Sequence, residues 1–245
     1  MSGRSTSVVI LGAGVGSRLK ALTEGRPKCL MRIGEQSLIS RMLDQLSSRG
    51  LTDITIVTGF RSELVEKEGG GRARIVRNPF YHVTNSIASL WLAREFLVSE
   101  AIVANGDVCF NIELLDELIA DRRDPVMLCD TSRIATADYR FSLNGDRLIA
   151  FGKHIPDDKT DAEYVGMAKI TGAFMPHFKR RLEHLVGSQR CDLWWEDVLY
   201  SHVSEGVPIY CHDVAGHFWS EIDHAADWAR VMEWVRSGGE RQVLA

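Results

Sequence analysis

No stretch of this chain comes near the ~20 consecutive apolar residues that a membrane-spanning helix needs, so a membrane protein is not expected. The opening segment Met1-Ser2-Gly3-Arg4-Ser5-Thr6-Ser7 lacks the apolar middle of a signal peptide. A basic excess is missing too: the formal net charge is −4, which argues against a general nucleic-acid binder. Cysteine is sparse, with five at positions 29, 109, 129, 191 and 211. They form no C-x-x-C pair and their number is odd, which points to reduced thiols and a cytoplasmic protein. The eight histidines form no zinc-type cluster with cysteine. There is no Pro- or Ser-rich linker, no internal repeat and no low-complexity tract, so residues 1–245 are expected to form a single domain. At 45% hydrophobic residues, 245 residues can bury one large core.

What the chain does have is concentrated near its start. Val8-Val9-Ile10-Leu11 is an apolar run of strand length, and it enters Gly12-Ala13-Gly14-Val15-Gly16-Ser17-Arg18-Leu19, followed by Pro27-Lys28. Glycines at alternate positions let backbone N–H groups approach an anion without Cβ interference. Arg18 and Lys28 add the positive charge that a di- or triphosphate needs. Three loop types compete for the segment. A dinucleotide-binding turn wants G-x-G-x-x-G and an acid near the end of the next strand. Here the last glycine position is Ser17, and the next strand ends in Val57-Thr58. A P-loop requires G-x-x-x-x-G-K-[ST], and no such run exists. What remains, L-x-A-G-x-G-x-R-L…P-K, resembles the signature of the nucleotidyltransferases, or pyrophosphorylases, that activate sugar phosphates and small phosphorylated alcohols.

The first 130 residues alternate two periodicities. Strand-like runs at 8–11, 54–57, 74–76, 101–104 and 126–129 are separated by helical patterns at 38–46, 63–68, 86–97 and 112–120. This predicts an α/β fold with a mostly parallel, Rossmann-like sheet flanked by helices. Beyond residue 130, Tyr139-Arg140-Phe141-Ser142-Leu143 and Arg147-Leu148-Ile149-Ala150-Phe151 flank Asn144-Gly145, a two-residue hairpin signal. A strand region at 162–174, helices opening at Pro176 and over 193–203, short strands around Ile209 and Phe218, and a last helix over about 225–236 complete the pattern. The expected architecture is a nucleotide-binding half, 1–130, and an acceptor-binding half, 131–245, with a small antiparallel substrate-facing extension. In open α/β sheets the ligand lies beyond the carboxyl ends of the strands, where Gly12 and Asp107 both fall.

Several residues have two readings. Asp107, in Asn105-Gly106-Asp107, ends a buried strand and could hold a hard divalent cation or simply form a turn. Asp223, just before the last helix, is a metal-ligand candidate and equally a helix cap. Alternation puts Glu221 on the same side as Asp223. Thr84 or Asn85 can cap the helix that begins at Ser86. Trp194 and Trp195 beside Glu196 could bind an ammonium group through cation–π and Coulomb attraction, or could be core.

Asn78-Pro79-Phe80-Tyr81, Thr84-Asn85-Ser86-Ile87-Ala88-Ser89-Leu90, Pro27-Lys28-Cys29-Leu30, Thr58-Gly59-Phe60, Asn105-Gly106-Asp107 and Glu221-Ile222-Asp223 together resemble one branch of the nucleotidyltransferases. That branch is the bacterial CTP:phosphocholine and 2-aminoethylphosphonate cytidylyltransferases. The likeness covers nearly the whole chain and specifies the branch rather than the acceptor. It implies a nucleotide-diphospho-sugar transferase type of fold, with Leu11, Gly12, Ala13, Gly14, Val15 and Gly16 holding the nucleotide. Arg18 and Lys28 would grip the triphosphate, and Asn85 and Ser86 would lie beside base and ribose. Asp107 and Asp223 would bind Mg²⁺, with Glu221 an acceptor contact or further ligand, and Lys153 would reach the acceptor phosphate.

Two departures stand out. Leu11-Gly12-Ala13-Gly14 replaces the usual L-A-A-G, and Trp194-Trp195-Glu196-Asp197 replaces an aromatic-aromatic-acidic helix start, which would reshape the pocket formed by Trp194, Trp195, Glu196 and Glu221. The implied partners are CTP and a small phosphorylated or phosphonylated acceptor, with no nucleic acid, no membrane and room for a homodimer. The implied reaction is attack on the α-phosphorus of CTP with loss of pyrophosphate. No histidine base is needed, because the acceptor is already anionic. The rivals are a sugar-1-phosphate nucleotidyltransferase, a nucleotide-binding regulatory protein and, last, a dehydrogenase.

Overall fold

A computed structural model describes residues 6–239. Residues 1–5, which belong to the segment read as lacking a signal sequence, and 240–245 lie outside it. In chain order the strands are β1 (Ser7–Gly12), β2 (Arg32–Ile33), β3 (Gln36–Ser37), β4 (Asp53–Thr58), β5 (Arg74–Arg77), β6 (Ala101–Asn105) and β7 (Val108–Phe110). They continue as β8 (Val126–Asp130), β9 (Arg140–Asn144), β10 (Arg147–Gly152), β11 (Ala162–Ile170), β12 (Tyr210–Asp213) and β13 (Trp219–Glu221). The helices are α1 (Lys20–Thr23), α2 (Leu38–Ser48), α3 (Ser62–Gly69), α4 (Ser86–Leu92) and α5 (Ile112–Ala120), then α6 (Met175–Gly187), α7 (Asp197–Val203) and α8 (Ala225–Trp234).

Nine strands form one sheet in the order β5-β4-β1-β6-β11-β8-β12-β10-β9. The first four run parallel, and β12 lies parallel to β8. β11 is antiparallel to β6 and β8 on either side of it, and β10 is antiparallel to β12 and β9. The sheet is therefore mixed rather than purely parallel, with β10 and β11 running against the other strands. The hairpin turn is Gly145-Asp146, one residue beyond the start of the Asn-Gly pair, with Gly145 at φ +63°, and it reverses the chain. The connection from 152 to 162 carries the chain across the sheet without turning it back, so β11 runs in the same direction as β10 and enters the centre of the sheet reversed. The start of β9 also pairs with β11, so the hairpin is an edge of the main sheet rather than a separate extension.

The apolar runs read as strands owe their continuity to burial on both faces. Along β1, Val8 and Ile10 pack toward Met42, Leu43 and Leu115, whereas Val9 packs toward Ile87, Leu90 and Phe178. Helix ends fit local chemistry: the Ser37 hydroxyl accepts from Ser40 N–H, and Asn111 Oδ1 accepts from Ile112 N–H. Some helices and strands are shorter than the periodicity suggests. The 86–97 pattern is α4 plus a separate turn, Arg94–Phe96, and the 162–174 strand stops at Ile170. Residues 193–196 precede α7 rather than opening it. Among the described residues no helix is long and apolar enough to cross a membrane.

Candidate active site

The carboxyl ends of β1 and β6 open on a cleft of about 410 Å³. Gly106 fixes its corner. Its N–H donates to Leu11 O at 3.0 Å, and a Cβ there would stand 3.0 Å from Gly12 Cα, so only glycine lets the turn after β6 press against the loop after β1. That turn carries Asp107. β13 pairs with β7, which follows the turn directly, and Ile222 N–H donates to Asp107 O at 3.0 Å. These bonds bring Asp223 to the same corner from the far end of the chain. Lys28, buried just after Pro27, completes it: Nζ donates to Asp107 Oδ2 at 2.7 Å and to Asp223 Oδ1. Arg18 Nη1, on the exposed side, reaches Asp223 Oδ2 at 3.4 Å.

Burial alone would depress the Lys28 ammonium. Asp107 and Asp223 outweigh it and hold its pKa above the ordinary lysine range, so Lys28 is a fixed positive charge. Partial burial would raise Asp223, but Lys28 and Arg18 pull it below the usual carboxylate range. Helix capping does not use the Asp223 carboxylate. The backbone N–H groups of Asp223 and His224 both donate to Asp227 Oδ2, at 3.0 and 2.7 Å. Asp107 Oδ1 is buried and has no hydrogen-bond partner, an open acceptor aimed at the corner. The donor set is carboxylate oxygen, the type that hard cations take. Among the described residues no three His, Cys, Asp or Glu side chains surround a metal position, so a cation here would need further oxygens from a substrate or water.

The other end of the cleft belongs to the second half of the chain. Lys153 Nζ donates to Asp138 Oδ2 at 2.6 Å, with both side chains largely exposed. Tyr139 meets Trp194 edge-on at 5.6 Å and stacks on Tyr200 at 5.7 Å. Glu196 lies buried behind these rings, accepting one bond, from Asn105 Nδ2 at 3.1 Å. Burial pushes its carboxyl up to about 8. Burial and the neighbouring Asp107 charge also push Glu221 well above the usual range.

A family model described as the MobA-like NTP transferase domain matches residues 8–191, three quarters of the sequence. The chain belongs to this family. Among relatives of the MobA-like chain, a "Bifunctional IPC transferase and DIPP synthase" of Rubrobacter xylanophilus is 32% identical over 96% of this chain. The match takes in 54% of that relative, so the chain spans about half its length. A 2-aminoethylphosphonate cytidylyltransferase of Lancefieldella rimae is 25% identical over 91% of each chain. The solved structure of CTP:phosphocholine cytidylyltransferase from Streptococcus pneumoniae superposes with a TM-score of 0.77 at 21% identity. The superposition covers 95% of this chain and all of that one. The fold is thus the α/β nucleotidyltransferase fold, with its mixed central sheet.

Within the MobA-like cleft, Leu11, Ala13, Gly14, Gly16, Arg18, Lys28, Asp107, Lys153, Trp194, Glu196, Glu221 and Asp223 line the wall. Three of the sequence-selected residues do not. Gly12 is buried beneath the loop, Val15 projects outward at 39% exposure, and Trp195 is wholly buried. A direct contact of Trp195 with an acceptor is therefore corrected. Its indole Nε1 donates to Asn105 Oδ1 at 2.8 Å and its backbone N–H to Ser86 Oγ at 2.9 Å, so it ties the turn before α7 to α4 and β6. Asn85 and Ser86 also line the cleft, but Asn85 Oδ1 is engaged in capping α4. Sequence reasoning missed Tyr81, Asn105, Tyr139, Tyr164 and Tyr200 on the cleft wall. Tyr81, Asn105 and Tyr139 lie within segments noted for other reasons, and only tertiary contacts single them out as cleft residues.

The state of Glu196 gives a testable consequence. A carboxyl at about 8, against an ordinary 4.5, keeps its proton when folded over a range where the unfolded chain has lost it. Its stabilising contribution is complete below the unfolded value and is lost as pH rises through the folded one. Relative to Glu196→Gln, the wild-type protein should lose up to a few kcal/mol between about pH 4.5 and 8. Urea midpoints of both proteins at pH 5 and 8 check this, and a difference that does not change with pH contradicts it.

Proposed function

We propose that the chain is a cytidylyltransferase, moving the CMP group of CTP to a small phosphate or phosphonate acceptor that carries a cationic group. The observation that carries the reading is the Lys28 ammonium held between Asp107 and Asp223 beside a glycine-rich loop. Binding alone needs no second carboxylate there. The names of the relatives support cytidylyl transfer to phosphate or phosphonate acceptors.

In the proposed reaction an acceptor oxygen attacks the α-phosphorus in line, the bond from that phosphorus to the bridging oxygen breaks, and pyrophosphate leaves with the electron pair. No general base is required of the chain, since a phosphate or phosphonate oxygen is already anionic. Lys28, buried and permanently charged, neutralises negative charge on the triphosphate without reorganising. Arg18 does so from the exposed side, with greater freedom. Lys153, at the opposite end, would reach the acceptor phosphate. Tyr139 and Trp194 would face the acceptor's cationic group, with Tyr200 and the Glu196 carboxyl buried behind them. Asp107 and Asp223 would hold Mg²⁺, and the open Oδ1 of Asp107 fits that role. The ion would add charge neutralisation at the triphosphate.

Pyrophosphate release measured over four NTPs and a panel of acceptors tests the whole reading. CTP with amine-bearing phosphates or phosphonates should lead. A desolvated cation–π contact of about 2 kcal/mol corresponds to roughly a thirtyfold preference over neutral polyol phosphates. Best turnover with UTP or another NTP and a sugar 1-phosphate would instead establish the sugar-phosphate reading.

A further inference from the structure

The sheet order separates the ends of the cleft. β9 and β10, which lead to Tyr139 and Lys153, lie at one edge, and β5 and β4 lie at the other. With the triphosphate at Lys28 and the acceptor toward Tyr139, the nucleoside is left with the β4–β5 side. The wall there includes Tyr81, Thr84, Ser86 and Ser89.

Tyr81 is held there by the backbone. A Cβ on Gly59 would stand 2.5 Å from Tyr81 Cβ and 2.7 Å from its Cγ, and 2.8 Å from Ala13 O. Gly59 is thus pressed between the tyrosine and the nucleotide loop, and any side chain at 59 would force them apart. Phe60 N–H donates to Ala13 O at 3.4 Å, and the rings of Phe60 and His82 flank Tyr81 at 6.4 and 5.5 Å. The loop that presents Tyr81 is pinned from below by buried Asn78. Its N–H donates to Thr58 O at 2.7 Å, its Oδ1 accepts from Phe80 N–H at 2.9 Å, and its Nδ2 reaches Thr84 Oγ1 and Ser89 Oγ at 3.2 and 3.0 Å. Thr84 closes the loop with two bonds to Phe80 O. The constraint falls on an aromatic ring that lines the cleft at this end.

We propose that Tyr81 sets the size of the base that the nucleotide site accepts, its fixed ring leaving room for a one-ring pyrimidine and excluding a two-ring purine. The inference rests on the reading of the cleft as an NTP site and adds the residue that selects among NTPs. A ring that cannot withdraw discriminates by clash, and pockets of fixed shape separate ligands differing by a few atoms by about 10–200-fold.

The test is equilibrium binding of CTP, UTP, ATP and GTP to the wild-type protein and to Tyr81→Ala, Tyr81→Phe and Gly59→Ala. Wild type should bind the pyrimidine nucleotides more tightly. Tyr81→Ala should shift the ratio of purine to pyrimidine dissociation constants by on the order of tenfold or more toward purines. Tyr81→Phe should keep the wild-type ratio, because the ring and not the hydroxyl does the excluding. Gly59→Ala, which displaces the ring, should relax the ratio in the same direction as Tyr81→Ala. Equal affinity of wild type for CTP and ATP overturns the proposal, as does an unchanged ratio in Tyr81→Ala with a native circular dichroism spectrum. Binding is read without turnover. A chain that selects pyrimidines through Tyr81 yet releases no pyrophosphate supports this inference and overturns the transferase reading alone.

Discussion

Replacing Lys28 by alanine is expected to lower turnover by about 10²–10³-fold, the loss seen when one preorganised transition-state donor is removed. The expectation comes from geometry. Lys28 is buried, permanently charged and held by two carboxylates, so its ammonium meets the triphosphate already in place. Arg18, at 59% side-chain exposure, is a weaker and more mobile partner. Arg18→Ala should therefore act mainly on nucleotide affinity. Steady-state pyrophosphate release, with circular dichroism as the folding control, measures both. Near-normal turnover in folded Lys28→Ala would remove the lysine from the chemistry.

Asp107→Asn and Asp223→Asn should each abolish turnover while leaving the fold intact. Each amide keeps the shape and removes the charge that a divalent cation requires. Binding of Mn²⁺ in the presence of CTP, followed by water-proton relaxation, should fail in both variants. Asp227→Ala is the internal comparison. Asp227 caps the start of α8, so its loss should cost about 0.5–2 kcal/mol of stability with turnover retained. If Asp223→Asn behaved like the Asp227 variant, its carboxylate would be structural and the cation assignment would fall with it.

The cleft was legible in the sequence where its chemistry is local. The loop after β1 and the Gly106-Asp107 turn announce themselves because glycine spacing and a strand end are short-range signals. Asp223 was ambiguous for a physical reason: an acid before a helix suits a cap and a ligand equally. The deciding group, Asp227, stands four residues on and takes the capping bonds itself. Trp194 and Trp195 are adjacent in a turn with no periodicity, so nothing in their order says that one faces the cleft and the other is sealed in the core. Tyr81 was hidden because its importance depends on Gly59 and Ala13, far away along the chain. The reversed direction of β11 escaped the pattern because a run buried on both faces reads alike in either direction.

The position of β11 bears on how the chain is made. It is the strand that joins β6 to β8, yet it begins only at Ala162. As the chain leaves the ribosome, β6 and β8 therefore wait with bare backbone edges until most of the protein has emerged. Such edges are ready templates for pairing with a neighbouring nascent chain. A stall before residue 162 would leave both facing edges open, so the speed at which the hairpin segment is made bears on freedom from aggregation.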